Sequence, residues 1–273
     1  MANQAFTKTK TEREQIQIAG SVKIIIAKIA ICKKPPYYRE MKFLLTIILL
    51  VATTGSFAQD TFNYQTDFNN ILARTKDRKD KLAYNKLLAR YAALDTTLTD
   101  YEVLALLIGF TDKPDYNPCN LNTETEIWAL YEKSQYDKAI SLGKKFLKTN
   151  PFSIKALFGV AYSYQQLNQP ANARSYAYQV LRIFQAMRFS GNGTTPNTPI
   201  FALGPIDGQD YINKFIIGNI GSMGSGSDST GKFLDIITVQ FEDGKTTTYY
   251  FIIDHAFKKM SLGKDLDKLL PPL

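Results

Sequence analysis

Residues 136–173, YDKAISLGKKFLKTNPFSIKALFGVAYSYQQLNQPANA, decide how this chain is read. Ala139 and Ala173 stand 34 residues apart, and Pro151 follows Ala139 by twelve. Between them Leu157, Ala161 and Tyr164 take the fourth, eighth and eleventh places of a second unit. A 34-residue period with small and large residues at these places is the pattern of tetratricopeptide repeats. Its physical logic is close helix crossing: alanine lets two backbones approach, a tyrosine fills the neighbouring gap, and proline ends the second helix. About one and a half repeats fit, roughly over 124–187. Gly143 departs from the pattern, which has a larger residue there. An ordinary helical hairpin pair with coincident spacing is the alternative.

Upstream of the repeat the pattern stays helical. Tyr64, Phe68, Ile71 and Leu72 predict a helix near 65–76, and Leu87, Leu88 and Tyr91 a second short one. Thr99 and Glu102 form an S/T-x-x-E capping box, with Leu98 and Val103 at the staple positions. The helix that follows, through Phe110, is apolar nearly all round and belongs in the core. Residues 111–122 carry Pro114 and Pro118 among Asn and Asp and break the helix. Thr123 with Glu126 reads as a second capping box that opens the next helix.

Downstream the composition changes. Residues 189–199 read as a linker. Ile200, Phe201 and Leu203 suggest a short strand, while 210–217 fits either a helix or a strand. Leu234 to Phe241 is a strand, Asp243-Gly244 a hairpin turn, and Thr247 to Ile253 the returning strand. The fold expected is α+β: a helical, tetratricopeptide-like N-terminal body over 59–188, then a small antiparallel β-rich part over 200–273.

The 273 residues carry a net charge of +8, but residues 1–40 hold eight Lys/Arg against three Asp/Glu. Beyond residue 58 the net charge is close to neutral, with no clustered basic face, so nucleic acid is not an expected partner. Residues 41–58, MKFLLTIILLVATTGSFA, read as a signal peptide: Lys42 first, an apolar run from Phe43 to Ala52, and small residues at Ser56 and Ala58. The run is too short for a membrane span, so no transmembrane anchor is expected in the mature chain. Cleavage would leave Gln59 first. Residues 1–40 then read as an upstream extension, with Met41 the true start. Cys32 follows an apolar stretch, but Ile31 before it is not the small residue that lipid attachment wants. Export leaves Cys119 as the single mature cysteine, read as a turn residue.

Three constellations could carry chemistry. Gly226, Gly231 and Lys232 give most of a phosphate loop, but Phe233 stands where Ser or Thr would hold magnesium, and a strand follows instead of a helix. Residues 218–231 are therefore read as a flexible Gly/Ser loop. His255, the single histidine, follows Asp254. On a continued strand the two would face opposite ways, so the carboxylate would not orient the ring. Asp207 and Asp210, like Glu124 and Glu126, read as solvated turn and helix-start residues. No catalytic residue, cofactor or metal ligand is assigned.

One resemblance adds to this. The runs Tyr84-Asn85-Lys86-Leu87-Leu88-Ala89-Arg90-Tyr91, Asp95-Thr96-Thr97-Leu98-Thr99, Gly109-Phe110-Thr111 and Tyr116-Asn117-Pro118 resemble an exported Bacteroidota family known only as a domain of unknown function. The similarity covers most of 62–255 and is strongest over 84–118. It implies a periplasmic or secreted protein and brings no activity with it. The function expected is a non-enzymatic binding or protein-interaction module of the cell envelope, with an envelope protein or peptide as partner. The alternative is an envelope hydrolase using His255. In repeats of this type the first helix of each pair lines a groove. Counting from Ile154, its groove positions are Lys155, Phe158, Tyr162 and Gln165. A carboxylate clamp would need Lys and Asn where Phe158 and Tyr162 stand, so an apolar or extended partner segment is expected instead. Two readings of Phe158 and Tyr162 stay open: groove, or core beneath the β-rich part.

Overall fold

The computed structural model describes residues 62–118 and 121–261. The upstream extension, the export signal and Cys119 lie outside the described residues. Among the described residues seven helices come first: α1 (Tyr64–Lys76), α2 (Tyr84–Ala92), α3 (Asp100–Phe110), α4 (Asn122–Glu132), α5 (Tyr136–Phe146), α6 (Ile154–Gln166) and α7 (Pro170–Ser190). Strand β1 (Ile200–Phe201) follows, then α8 (Pro205–Tyr211), which runs into a π-helical turn over Ile212–Ile216. Strands β2 (Asn219–Ser227), β3 (Phe233–Gln240) and β4 (Thr246–Ile252) precede α9 (Asp254–Ser261). The α+β class read from the sequence is the one observed.

Helix α3 is the hub of the N-terminal half. Val103 to Phe110 are buried without a break, so its two ends must be fixed by polar groups outside the packing face. The predicted capping box forms at one end. Thr99 Oγ1 accepts from the Glu102 amide at 3.1 Å, and Glu102 accepts in return from the Thr99 amide at 2.8 Å. Arg90 braces the same end, donating to Asp95 at 2.7 Å and to Glu102 at 2.8 Å.

Helices α4 to α7 stack as consecutive antiparallel neighbours, and α4 also packs directly on α6. Their crossings are lined by small residues. Ala139, Ala161 and Ala173 are buried, and Gly143 sits so close to α6 that an added Cβ would come within 2.3 Å of Val160 Cγ2. The departure at Gly143 therefore has a steric reason: Val160 takes the space a larger residue would fill. Gly143→Ala is expected to destabilise by about 1–3 kcal/mol through overpacking. Val160→Ala should rescue it in a double-mutant cycle read by denaturant unfolding.

Two helix boundaries differ from expectation. Thr123 and Glu126 do not form a capping box. Helix α4 starts at Asn122 with no side-chain cap, so Thr123 is already inside it. Glu124, between them, accepts a long-range bond from the Ser153 hydroxyl. Nor does Pro151 end α5. The helix stops at Phe146, where the Asn150 amide closes back on the Phe146 carbonyl at 3.0 Å, and Pro151 lies in the turn before α6.

The sheet is mixed, in the order β1-β4-β3-β2. Strands β2, β3 and β4 form an antiparallel meander, and the Asp243-Gly244 turn closes its second hairpin with Gly244 at φ +81°. Strand β1 pairs with β4 in parallel, Ile200 against Phe251, which corrects the all-antiparallel expectation. Most of the flexible loop expected over 218–231 is in fact strand β2, and its end, 228–231, is a turn. Its glycines and serines have little strand propensity of their own, and the strand exists because β3 offers a complete partner edge. Helix α7 continues through Ser190, two residues into the stretch that reads as linker. There Ser190 Oγ accepts from the Phe201 amide at 2.7 Å, which fastens α7 to β1. One face of the sheet packs on α8, with the Phe251 ring 5.9 Å from Tyr211.

Candidate functional site

Three elements converge beside the crossing of α4 and α6. Ser153 caps α6, accepting from the Ala156 amide at 3.1 Å. Its hydroxyl proton remains free to donate, and it goes to the Glu124 carboxylate in the first turn of α4. From the third side comes α8, whose start is tied by Asp207: its carboxylate accepts from the Gly204 amide at 3.0 Å. The preceding residue, Leu203, is pinned by the Tyr116 hydroxyl, which donates to the Leu203 carbonyl at 2.6 Å.

Between these elements lies a shallow cleft, open to solvent. Its polar wall holds Glu124, Asp207, Ser153 and Asn150, and its apolar wall includes Phe110, Tyr116, Leu121, Phe152 and Ile206. Burial raises the Glu124 carboxyl above the usual carboxylate range, opposed by the Ser153 hydrogen bond and assisted by the negative charge of Asp210. Asp207 is pushed well up, first by burial and then by the charges of Glu124 and Asp210. Asp210 itself is 7% exposed, pairs with Lys214, and leaves its second oxygen without a partner. Reading Glu124, Asp207 and Asp210 as solvated turn residues is therefore wrong. Each is drawn inward, and the fold brings the three within electrostatic reach of one another. Nothing in their spacing reveals this, because Glu124 and Asp207 meet only when α8 docks against the turn before α6.

A second feature adjoins the cleft along α4 and α6. Trp128 and Tyr131 stand in edge contact at 4.6 Å, and Tyr162 lies 5.2 Å from Tyr131 and 6.4 Å from Tyr136. Lys155 Nζ sits 5.7 Å over the Trp128 ring, and Lys214 Nζ sits 5.4 Å over Phe158. Lys155, Phe158, Tyr162 and Gln165 are all half-buried. Phe158 is thus flanked by the π-helical turn, while Tyr162 belongs to the row of rings on α4 and α5.

His255 lies elsewhere. Strand β4 ends at Ile252, so Asp254 and His255 open α9 instead of alternating along a strand. The imidazole stacks on Phe201 at 4.7 Å and 12°, with Phe68 at 5.5 Å, Tyr64 at 6.0 Å and Tyr116 at 6.2 Å around it. Its Nδ1 faces the Tyr64 hydroxyl at 3.4 Å, and Nε2 has no partner. Burial pushes its pKa down to about 3, against the charge of Asp254, so the ring is neutral near pH 7. This is a core histidine in an aromatic box. It is not among the residues that line the cleft.

The broken phosphate-loop motif is placed equally plainly. Gly226 lies in β2, Gly231 in the following turn at φ +79°, and Lys232 stands 3.7 Å from Asp254. A strand follows, so no helix N-terminus is presented to a phosphate. Among the described residues, no group of three or more His, Cys, Asp or Glu is placed to hold a metal ion. No helix among them is long and apolar enough to cross a membrane.

No curated protein and no solved structure matches this chain significantly. A family model does, over residues 69–261, which takes in every helix from the middle of α1 onward and the whole sheet. The chain belongs to the family described as domain of unknown function DUF4919.

Proposed function

We propose that this protein is an exported, non-enzymatic interaction module of a Bacteroidota cell envelope, and that α4 to α7 act as a tetratricopeptide-like platform. The observation that carries the reading is that Trp128 on α4 and Phe158 and Tyr162 on α6 are half-buried, with Trp128 and Tyr162 packed on either side of the buried Tyr131 and with Lys155 and Gln165, also half-buried, on α6. Aromatic side chains left partly open to water are suited to an apolar or extended partner segment, because buried rings dominate interface energetics. Catalysis through His255 finds no such support, since that ring is enclosed. The signal pattern of residues 41–58 supports export, with residues 59–188 and 200–273 as the helical and β-rich parts of the mature chain.

Phe158→Ala combined with Tyr162→Ala tests the reading. Cross-linking in the native envelope should lose partners captured by the parent, while the melting temperature falls by only a few degrees. Unfolding of the double variant would make these rings core and remove the binding face. Mass spectrometry of the same material should find Gln59 at the N-terminus; a chain retaining residues 1–40 would overturn export by this signal.

A further inference from the structure

We propose that β2 is a self-pairing edge: two copies of this chain join by antiparallel β2–β2 contact across a two-fold axis at Gly224, so that their sheets become continuous. The inference goes beyond the aromatic face, since it concerns the sheet and a second copy of the chain.

The strand order leaves β2 outermost. An outermost strand presents a row of backbone N–H and C=O groups ready for another strand. Among the described residues, the backbone pairing of β2 is with β3 alone. The opposite edge is different. Strand β1 has only two residues, and the next amide along β4, that of Tyr250, donates to the Gly193 carbonyl at 2.8 Å. The chain before β1 therefore already closes that side. Edge strands that stay single are guarded by lysine, proline, inward-pointing charges or bulges. Strand β2 reads Asn219-Ile220-Gly221-Ser222-Met223-Gly224-Ser225-Gly226-Ser227, without a charge or a proline. Its one irregularity falls between Ile220 and Ser222, so 222–227 is a regular and unguarded run.

The side chains point to the occupant. Met223 stands opposite Ile237, and Ile237 opposite Tyr249. Ile237 is 2% exposed and Met223 59%, so an apolar row that crosses the sheet ends in water at β2. A second β2 continues that row. In a continuous sheet, directly opposite residues share a face, and faces alternate along each strand. A two-fold axis must then pass through a residue. With the axis at Gly224, residues 222–226 meet their own copies without using the bulge. Met223 faces the second copy's Ser225 and lies diagonal to its Met223, within reach of so long a side chain. The facing residues are all uncharged, so identical chains meet no like-charge repulsion. A strand of different sequence is selected by pockets for its alternate side chains, and the glycines and serines of β2 build none. A pairing this short buries less than the roughly 1,200 Å² of a standard interface. The dimer is therefore reversible.

Sedimentation equilibrium of the full chain should show a monomer–dimer equilibrium, half formed at roughly 10–100 µM. Met223→Lys should weaken the dimer by roughly tenfold, because the contact is lost twice across the axis and lysine meets lysine. Its melting temperature at low concentration should match the parent, since the side chain is exposed in the monomer. Gly224→Cys places a thiol on the axis, opposite its own copy and at a spacing that a disulfide can bridge. Nothing lies within 4 Å of the Cβ position at Gly224, so the monomer accepts the change. Mild oxidation should link Gly224→Cys into dimers. The parent, which carries Cys119, and Ser229→Cys, exposed in the turn after β2, should stay unlinked. A parent that is monomeric at about 300 µM, dimerisation of Met223→Lys at the parent's concentration, or equal linking of Gly224→Cys and Ser229→Cys would overturn the proposal. So would a monomeric parent whose envelope cross-links disappear in Met223→Lys, a result that gives the edge to a different strand. Should Met223→Lys fail to fold, Gly224→Cys with its two controls decides alone. None of these outcomes bears on the aromatic face, whose own test reads envelope partners.

Discussion

Arginine at Ala139 or at Ala173 is expected to lower the melting temperature by roughly 10 °C. Ala139 is fully buried and Ala173 is 2% exposed. Ala139 precedes Gly143 by one helical turn, so both face the same neighbour, and at Gly143 even a methyl group would collide with Val160. Overpacking alone costs about 1–3 kcal/mol. An unpaired guanidinium held in the crossing adds more, because leaving a buried charge without its partner costs about 3–5 kcal/mol. Partial escape of the long side chain to water reduces the sum to about 4 kcal/mol, and a domain of this size loses roughly 2–4 °C per kcal/mol. Ala171→Arg, on the exposed side of the same helix turn as Ala173, is the control and should melt with the parent. Parent-like melting of both buried variants would mean that the close crossings of α5 and α7 do not exist.

The second large effect is a pH dependence. His255 is neutral in the fold, with its pKa pushed down to about 3 by burial, against about 6.5 when unfolded. Between those values the unfolded chain binds a proton that the folded chain refuses. Stability due to this group is therefore complete above pH 6.5 and is lost as pH falls toward 3. Over the interval from about pH 7 to about pH 4 the loss is about 3 kcal/mol. Asp235 on β3 acts in the opposite sense. Burial pushes its carboxyl up to about 6, so it favours the fold more as pH falls from 6 toward its unfolded value near 4. Glu124 and Asp207 share its sign. His255→Phe keeps a ring stacked on Phe201 and removes the titration. The difference in unfolding free energy between variant and parent should move by about 3 kcal/mol in favour of phenylalanine over that interval. The Tyr64 hydroxyl loses its neighbour in the variant, which offsets the whole curve without tilting it. A flat difference across the interval would mean that His255 is solvated and the aromatic box open.

Where the sequence could be read, local chemistry dominated. Thr99 and Glu102 announced α3 because a capping box is complete within four residues, and Asp243-Gly244 announced its hairpin because φ > 0 needs such a residue. Leu234 to Val239 showed its strand by β-branched composition. The failures have other causes. Strand β2 has no signal of its own, and only its pairing with β3 makes it a strand. The capping box at Thr123 does not form because the helix already starts at Asn122, which puts Thr123 inside it. The acidic cleft was illegible because Glu124 and Asp207 are 83 positions apart in the chain, and each looks like an ordinary helix-start carboxylate where it stands. The aromatic positions on α6 were legible as positions, by counting along a helix. Their half-buried state was not, because it depends on Trp128 and Tyr131 from α4 and on Lys214 from the π-helical turn.

The contact between Tyr64 and His255 spans 191 residues, and Gln65 reaches Asp228 at 3.2 Å and Thr230 at 2.7 Å. Among the described residues, the first helix is thus tied to the turn between β2 and β3 and to the last helix, so the fold closes on itself like a clasp. A chain synthesised from its N-terminus leaves Tyr64 and Phe68 without Phe201 until β1 has been made, and without His255 until α9 has. Domain ends that lie side by side also permit rewiring. A circular permutant joining residue 261 to residue 62 through a short Gly/Ser bridge, and opened at the exposed turn 133–135, keeps every helix crossing and the whole sheet. In that order α9 leads directly into α1, while α4 must reach α5 and α6 from the far end of the chain, so the local stack of α4 to α6 becomes the long-range closure and folding should slow.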